Sequence, residues 1–266
     1  MIIDRIKTKK LKNTRDLGGL PTSDGKRIAS GKLLRSGRLY KLPEKTLDVL
    51  DGYKITNVID LRVKFERDAH PDTVIGESLN HWWTVLTTPT SEPVSEGSTL
   101  KTMKREGIRL RDDYGSDFDK YMIDTYRSIV FEKSPQESIG KIFRLLLEEE
   151  GCVLWHCNSG KDRTGIVCML LESLLGVDEE VIYEDYLASK KFLERKFFWN
   201  RIGMFFVPMS LTTKRIIVGY MNLKRVYLQT VVEEIKQKFG SVVEYCKRTF
   251  GLTDGDISAL KQKYLV

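Results

Sequence analysis

His156-Cys157-Asn158-Ser159-Gly160-Lys161-Asp162-Arg163-Thr164-Gly165 decides the fold. Just before it, Val153–Trp155 is an apolar run of strand length, and Thr164–Leu175 is apolar over a helical length. A strand that passes through a polar, glycine-containing turn onto a helix N-terminus builds an anion site. The N–H groups of the turn form a nest, and the helix adds the positive end of its dipole.

Each residue type in the turn has a job. A cysteine at its start lies in an electropositive surrounding that favours thiolate over thiol, so Cys157 is expected to be nucleophilic at neutral pH. Arg163 can fold back over the turn and grip two oxygens of a tetrahedral anion with its planar fork, which lysine cannot do. Asn158 and Ser159 belong to the nest, Gly160 lets the backbone approach the anion, Lys161 adds charge at the rim, and the Thr164 hydroxyl is placed to hydrogen-bond the thiolate. A bare cysteine-to-arginine spacing of this kind would arise by chance in about a fifth of chains with this cysteine content. The full set of specified positions would arise on the order of once in ten billion sites, so the context carries the reading.

Working outward, 266 residues at 41% hydrophobic content can bury a substantial core. With no repeat, low-complexity tract or Pro/Gly/Ser linker, one domain over 1–266 is expected. The four cysteines (Cys152, Cys157, Cys168, Cys246) have neither metal-ligand spacing nor the density of a disulfide scaffold. No metal or cofactor is therefore expected. The charged start of the chain and the absence of a long apolar run point to a cytoplasmic protein. A net charge of +7 favours anionic partners. No basic run interleaved with stacking aromatics resembles a nucleic-acid groove, so a phosphorylated substrate remains, and transient contact with a membrane surface stays open. Oligomeric state is not legible.

Apolar runs at Lys32–Arg35, Ile55–Leu61, Leu79–Val85 and Cys152–His156 read as strands of a mostly parallel α/β sheet. Helical periodicity covers Asp117–Glu132, Gln136–Glu149, Thr164–Leu175 and Leu223–Lys238, and the chain reads as almost wholly helical beyond Gly176. Thr87–Gly107 reads as a long surface loop.

The loop resembles that of the protein-tyrosine and dual-specificity phosphatases, and in particular an atypical bacterial and fungal tyrosine and lipid phosphatase family. Asn13-Thr14-Arg15-Asp16-Leu17-Gly18-Gly19, Arg35-Ser36-Gly37, Ile59-Asp60-Leu61-Arg62 with Glu66, Asp185-Tyr186-Leu187 and Gly251-Leu252-Thr253-Asp254 are similar to the family's other motifs. The resemblance implies a three-layer fold, a short sheet flanked by helices, and metal-free hydrolysis of phosphomonoesters through a phosphocysteine. Phosphorylated protein or phosphoinositide is the implied substrate, with Lys161 and the Lys190/Lys191 segment as extra cations for a multiply phosphorylated headgroup. A pseudophosphatase scaffold is the alternative, disfavoured by the intact Cys157, Asp162 and Arg163. A sulfurtransferase or arsenate reductase is disfavoured by Arg163 and by the lack of a resolving cysteine.

A leaving oxygen needs a proton, and two aspartates compete to supply it. Asp162 lies in the loop, where repulsion from a dianionic substrate favours its neutral form, and the resemblance favours it. Asp60 ends a strand on the ligand side of a parallel sheet, or else orients Arg62 or Arg163 as a carboxylate partner. His156 is expected to orient the loop. Arg15 and Asp16 either close a turn or brace the loop, and His70 and His81 are expected to be ordinary packing or surface residues. The aromatics of Phe192–Phe206 fit a packed helix pair, or a lid or acyl-chain surface. An extended strand would hold Cys152 too far from Cys157 for a disulfide.

Overall fold

The fold is that of a computed structural model, which describes all residues except 1, 2, 4, 76–78, 87–107, 109–111, 116, 206–210, 212, 213, 215–217, 220 and 221. Among the described residues, β1 (Arg15–Asp16), β2 (Leu33–Ser36), β3 (Ile55–Asp60), β4 (Asn80–Trp83) and β5 (Cys152–His156) form one sheet in the order β1-β2-β5-β3-β4. All neighbours are parallel except β1, which runs antiparallel to β2 at one edge. The helices are α1 (Glu44–Asp51), α2 (Lys64–Ala69), α3 (Phe118–Phe131), α4 (Lys133–Glu148), α5 (Asp162–Leu175), α6 (Glu179–Phe205), α7 (Arg225–Phe239), α8 (Val242–Phe250) and α9 (Asp254–Tyr264). The expected layered α/β architecture with a helical carboxy-terminal part is present.

β5 is central because both of its faces are apolar, as in a covered parallel sheet. Successive side chains point to opposite faces, so Val153 and Trp155 enter the larger core with α3 to α9, while Cys152 and Leu154 enter the smaller core with Leu50 of α1. α5 is buried around most of its circumference and ends at Gly176, which takes φ +86°. α4 begins before Pro135, earlier than the expected Gln136, because a proline in the first turn removes no helical hydrogen bond. Expected strand Leu79–Val85 is shorter, and β4 is an edge strand with Trp83 two-thirds exposed. The expected loop Thr87–Gly107 lies outside the described residues. Arg27 and Val266 exchange backbone hydrogen bonds at 3.0 and 2.9 Å, and the Ala29 N–H donates to the Tyr264 carbonyl at 2.8 Å, which ties the approach to β2 to the chain's last residues. No described helix is long and apolar enough to cross a membrane.

A buried charge cluster sits between the sheet edge and the helices. Arg15 donates through Nε and Nη2 to the Asp185 carboxylate and carbonyl, each at 2.6 Å, and Arg35 Nη1 pairs with the other carboxylate oxygen. Burial opposes the Asp185 charge, but the two arginines outweigh it and hold the carboxyl below the usual range. Glu172 of α5 lies alongside with both oxygens buried and without a well-formed hydrogen bond. Burial, and then the Asp185 charge, push Glu172 well above the usual carboxylate range. Its folded pKa exceeds its unfolded one, so its contribution to stability is present below the unfolded value and is lost as pH rises toward the folded one. Glu172→Gln, which keeps a donor and cannot ionise, should therefore gain stability relative to the wild type as pH is raised from about 5 to about 8. Urea midpoints of the two proteins across that range check this, and a constant difference would show that Glu172 is ionised in the fold just as it is in the unfolded chain.

Candidate active site

β2, β5 and β3 end level with one another, with Ser36 paired to His156 and His156 to Asp60. Parallel sheets bind ligands beyond their carboxyl ends, and the turn from Cys157 to Lys161 begins there and enters α5 at Asp162. Gly160 takes φ +68°, and a Cβ on it would lie 2.4 Å from the Ser36 carbonyl oxygen, so no other residue fits. The carbonyls of the turn are tied outward. Asn13 Nδ2 donates to Ser159 O at 3.0 Å and Gly160 O at 2.8 Å, Arg35 Nη2 donates to Gly160 O at 3.0 Å, and the Arg38 N–H donates to Asn158 O at 3.2 Å. The N–H groups are left to the concave side, where that of Gly160 donates to Cys157 Sγ at 3.3 Å.

Burial raises the Cys157 thiol, but the Arg163 charge and the hydroxyl and backbone N–H of Thr164 outweigh it and bring it below the ordinary value. Arg163 is not free to wander. Its Nη1 and Nη2 donate to the two Glu66 oxygens at 2.7 and 2.9 Å, which fixes the guanidinium plane and leaves N–H groups for an anion. Glu66 is itself buried and accepts from the Val63 N–H at 3.2 Å, and Arg163 holds its carboxyl below the usual range despite burial. Asp162 accepts from the Tyr126 hydroxyl at 2.7 Å, and that hydroxyl also meets the Tyr186 hydroxyl at 2.8 Å.

Asp60 and Arg62 lie behind the loop. Arg62 donates through Nε and Nη2 to the two Asp60 oxygens at 2.9 and 2.8 Å, and its Nη2 also meets Asp72 at 2.9 Å. His156 Nε2 stands 3.0 Å from Asp72 and its Nδ1 3.2 Å from the Cys157 carbonyl. Burial disfavours a charged His156 ring, but Asp72 and Asp60 prevail and raise its pKa. Asp60, Asp72 and His156 converge as metal ligands would, as do Cys168, Glu172 and Asp185. The first group surrounds the Arg62 guanidinium and the second those of Arg15 and Arg35, so cationic side chains already pair with both.

Lys161 departs from expectation. Instead of standing at the rim it is buried, with Nζ 3.2 Å from Asp162 and donating to the Asn222 carbonyl at 3.1 Å, since a carboxylate and a carbonyl replace the water it gives up. Lys190 and Lys191 are exposed on α6. Phe192 packs on Arg15 at 5.4 Å, whereas Phe198 and Trp199 are exposed edge-to-face partners and Phe206 lies outside the described residues. His70 packs edge-on against Tyr40. Sequence reasoning missed the parts played by Glu66, Asp72, Tyr126, Asn13 and Arg35. Of these, Glu66, Asn13 and Arg35 lie in recognisable motifs, but their partners are 97 to 147 positions away.

A cysteine-led anion loop closed by an arginine, on the carboxyl edge of a parallel sheet between helical layers, defines an α/β fold of the phosphatase type. The profile of the tyrosine phosphatase family matches residues 6–266, and the chain belongs to that family. It is 27% identical over 255 residues to a candidate tyrosine-protein phosphatase of Cupriavidus necator, covering 96% of this chain and 86% of that one. It is 24% identical over 270 residues to the triple specificity protein phosphatase PtpB of Mycobacterium tuberculosis, covering 94% and 95%. A crystal structure of P. aeruginosa TpbA with phosphotyrosine overlaps 73% of this chain and 90% of that one at 14% identity and a TM-score of 0.30. Family membership implies a phosphorylated substrate.

Burial raises the thiols of Cys152, Cys168 and Cys246, the first to about 12. Iodoacetamide should therefore alkylate Cys157 alone, with a rate midpoint below the ordinary thiol value of 9.0. Arg163→Met should move that midpoint upward by at least about one pH unit. Peptide mapping and the pH-rate profile check both, and uniform labelling of all cysteines would contradict the reading.

Proposed function

We propose that the chain hydrolyses phosphotyrosine in proteins, and other phosphomonoesters, through a covalent phosphocysteine. The observation that carries this reading is the lowered Cys157 thiol facing an arginine whose orientation is fixed by Glu66. Cys157 Sγ attacks phosphorus, the S–P bond forms as the P–O bond to the leaving group breaks, and Asp162 gives its proton to the departing oxygen. Water then cleaves the S–P bond, passing its proton to the Asp162 carboxylate and releasing inorganic phosphate. Arg163 and the turn's N–H groups hold the three equatorial oxygens, over which the transition state spreads its negative charge. His156 fixes the carbonyl of the nucleophile, and Asp60 serves Arg62 rather than the substrate.

Asp162 suits the acid role because it is partly exposed and the Tyr126 hydroxyl orients its carboxyl, whereas Asp60 is enclosed and bidentate to an arginine. The names of the relatives, tyrosine and triple specificity phosphatases, are consistent with this substrate range.

Cys157→Ser should abolish turnover of phosphotyrosine peptides while vanadate or phosphate binding persists, and residual hydrolysis would refute a thiolate mechanism. Asp162→Asn should slow alkyl phosphates by about a hundredfold or more, and aryl phosphates with good leaving groups far less. Asp60→Asn should slow both alike, and the reverse pattern would exchange the two roles. A wild-type protein that binds phosphate but turns over no phosphomonoester would be a pseudophosphatase.

A further inference from the structure

Tyr186, from the Asp185-Tyr186-Leu187 motif on α6, stands one hydroxyl removed from Asp162. Its hydroxyl meets that of Tyr126 at 2.8 Å, and Tyr126 donates to Asp162 Oδ1 at 2.7 Å, so a chain of two hydroxyls ends on the carboxyl that serves as the acid. We propose that Tyr186 is a positioning residue for the proton transfer: it fixes the direction of the Tyr126 hydroxyl, and Tyr126 in turn holds Asp162 Oδ1 as an acceptor and leaves Oδ2 to carry the proton. In the first step the Oδ2–H bond breaks, the proton bonds to the leaving oxygen, and the electron pair stays on Oδ2. The proposal rests on the assignment of Asp162 as the acid and extends the machinery to a side chain one hydrogen bond further from the substrate.

The hydrogens of the chain give its direction. Tyr126 and Tyr186 are buried, and among the described residues the Tyr186 hydroxyl has Tyr126 as its hydrogen-bond partner. If Tyr126 gave its hydrogen to Tyr186, the Tyr186 hydrogen would be buried without an acceptor and Asp162 Oδ1 would lose its donor, two unmade bonds in an enclosed place. If Tyr186 gives its hydrogen to Tyr126, Tyr126 gives its own to Asp162 and both are placed. Burial, and after it the Asp162 charge, push both hydroxyls well above the ordinary range, so both keep their hydrogens near neutral pH. The rings are fixed as well. They meet edge-on with centroids 6.3 Å apart, and Tyr186 lies against α5 at Gly165, where a Cβ would stand 3.1 Å from the ring. Tyr227 of α7 packs 6.1 Å from the Tyr126 ring, but its hydroxyl donates to Asp119 at 2.6 Å and is committed there.

The remaining groups around Asp162 act on it by charge. Lys161 Nζ stands 3.2 Å from Oδ2, Arg163 and Cys157 lie within range of the same carboxyl from the loop, and Tyr227 feels it from α7. A charge attracts the carboxylate without setting its plane, whereas a hydroxyl on one oxygen does set it. A donor to the charged form favours that form. The chain therefore makes Asp162 a readier proton donor, and it keeps the carboxylate in place for the second step, in which Oδ2 takes a proton from water.

Tyr126→Phe removes the donor to the charged form, so the pH at which Asp162 loses its proton should rise. In the Cys157→Ser protein, carbon NMR of isotopically labelled aspartate carboxyls should show the Asp162 midpoint moving upward by at least about half a pH unit in Tyr126→Phe, and by less in Tyr186→Phe. The double variant Tyr126→Phe/Tyr186→Phe should match Tyr126→Phe alone, because Tyr186 acts through Tyr126. With Cys157 intact, the high-pH limb of kcat for an alkyl phosphate should move in the same direction. Tyr126→Phe should lower that kcat about tenfold, and lower kcat for an aryl phosphate with a good leaving group about twofold or less. The double variant also guards against a folding defect: it leaves no hydroxyl orphaned, so its urea midpoint should equal or exceed that of Tyr126→Phe. An unmoved Asp162 midpoint in Tyr126→Phe would overturn the chain, as would a Tyr186→Phe shift that persists undiminished on top of Tyr126→Phe. Equal rate losses for alkyl and aryl esters would overturn it too, since packing alone produces that pattern. Asp162→Asn keeps the two readings apart. If it slows both ester classes alike, Asp162 is not the acid and the proposal falls with that assignment; if it slows alkyl phosphates selectively while Tyr126→Phe does not, only the chain falls.

Discussion

Asp185 lies between Arg15 and Arg35, and the shape of the loop follows from that arrangement. The carboxylate comes from α6, the arginines from β1 and β2, and Arg35 reaches on to the Gly160 carbonyl. Removing a single partner would strand a buried charge, which costs about 3–5 kcal/mol. Two positive side chains flanking one carboxylate leave the underside of the turn positive. Burial and the Asp185 charge push Glu172 next to it well above the usual carboxylate range, which disfavours a second negative charge in the cluster.

The opposite flank uses the same chemistry for a different purpose. Glu66 leaves Arg163 charged and planar, while Asp60 and Asp72 hold Arg62 and His156 behind the strand end. On both flanks an acid fixes an arginine, so the anion site is rigid before a substrate enters and little reorganisation is left for the reaction. The preorganised groups are backbone N–H donors and one guanidinium, and Asp162 beside them is held by the Tyr126 hydroxyl and Lys161.

The central part of the sheet was legible because β5 is apolar on both faces and runs straight into a turn whose residue types leave one reading. β1 was not legible. It has two residues, and the side chain it buries is Arg15, whose partner Asp185 lies 170 positions away. The same reason hid the hold of Glu66 on Arg163, since a carboxylate in the first turn of a helix reads equally well as a cap. Lys161 shows a different limit: sequence gives a charge but not its direction, and an adjacent acid turned this one inward. The competition between Asp162 and Asp60 was visible, whereas burial and partners, which distinguish them, were not.

Arg27 pairs with Val266 and Ala29 with Tyr264, partners 239 and 235 positions apart in the chain, so the edge that leads into β2 closes only after a very large loop has been ordered. The entropy of closing that loop is lost before the contacts reward it, which makes this pairing a late event in folding. Until it forms, the edge keeps unpaired N–H and C=O groups with which another chain can pair.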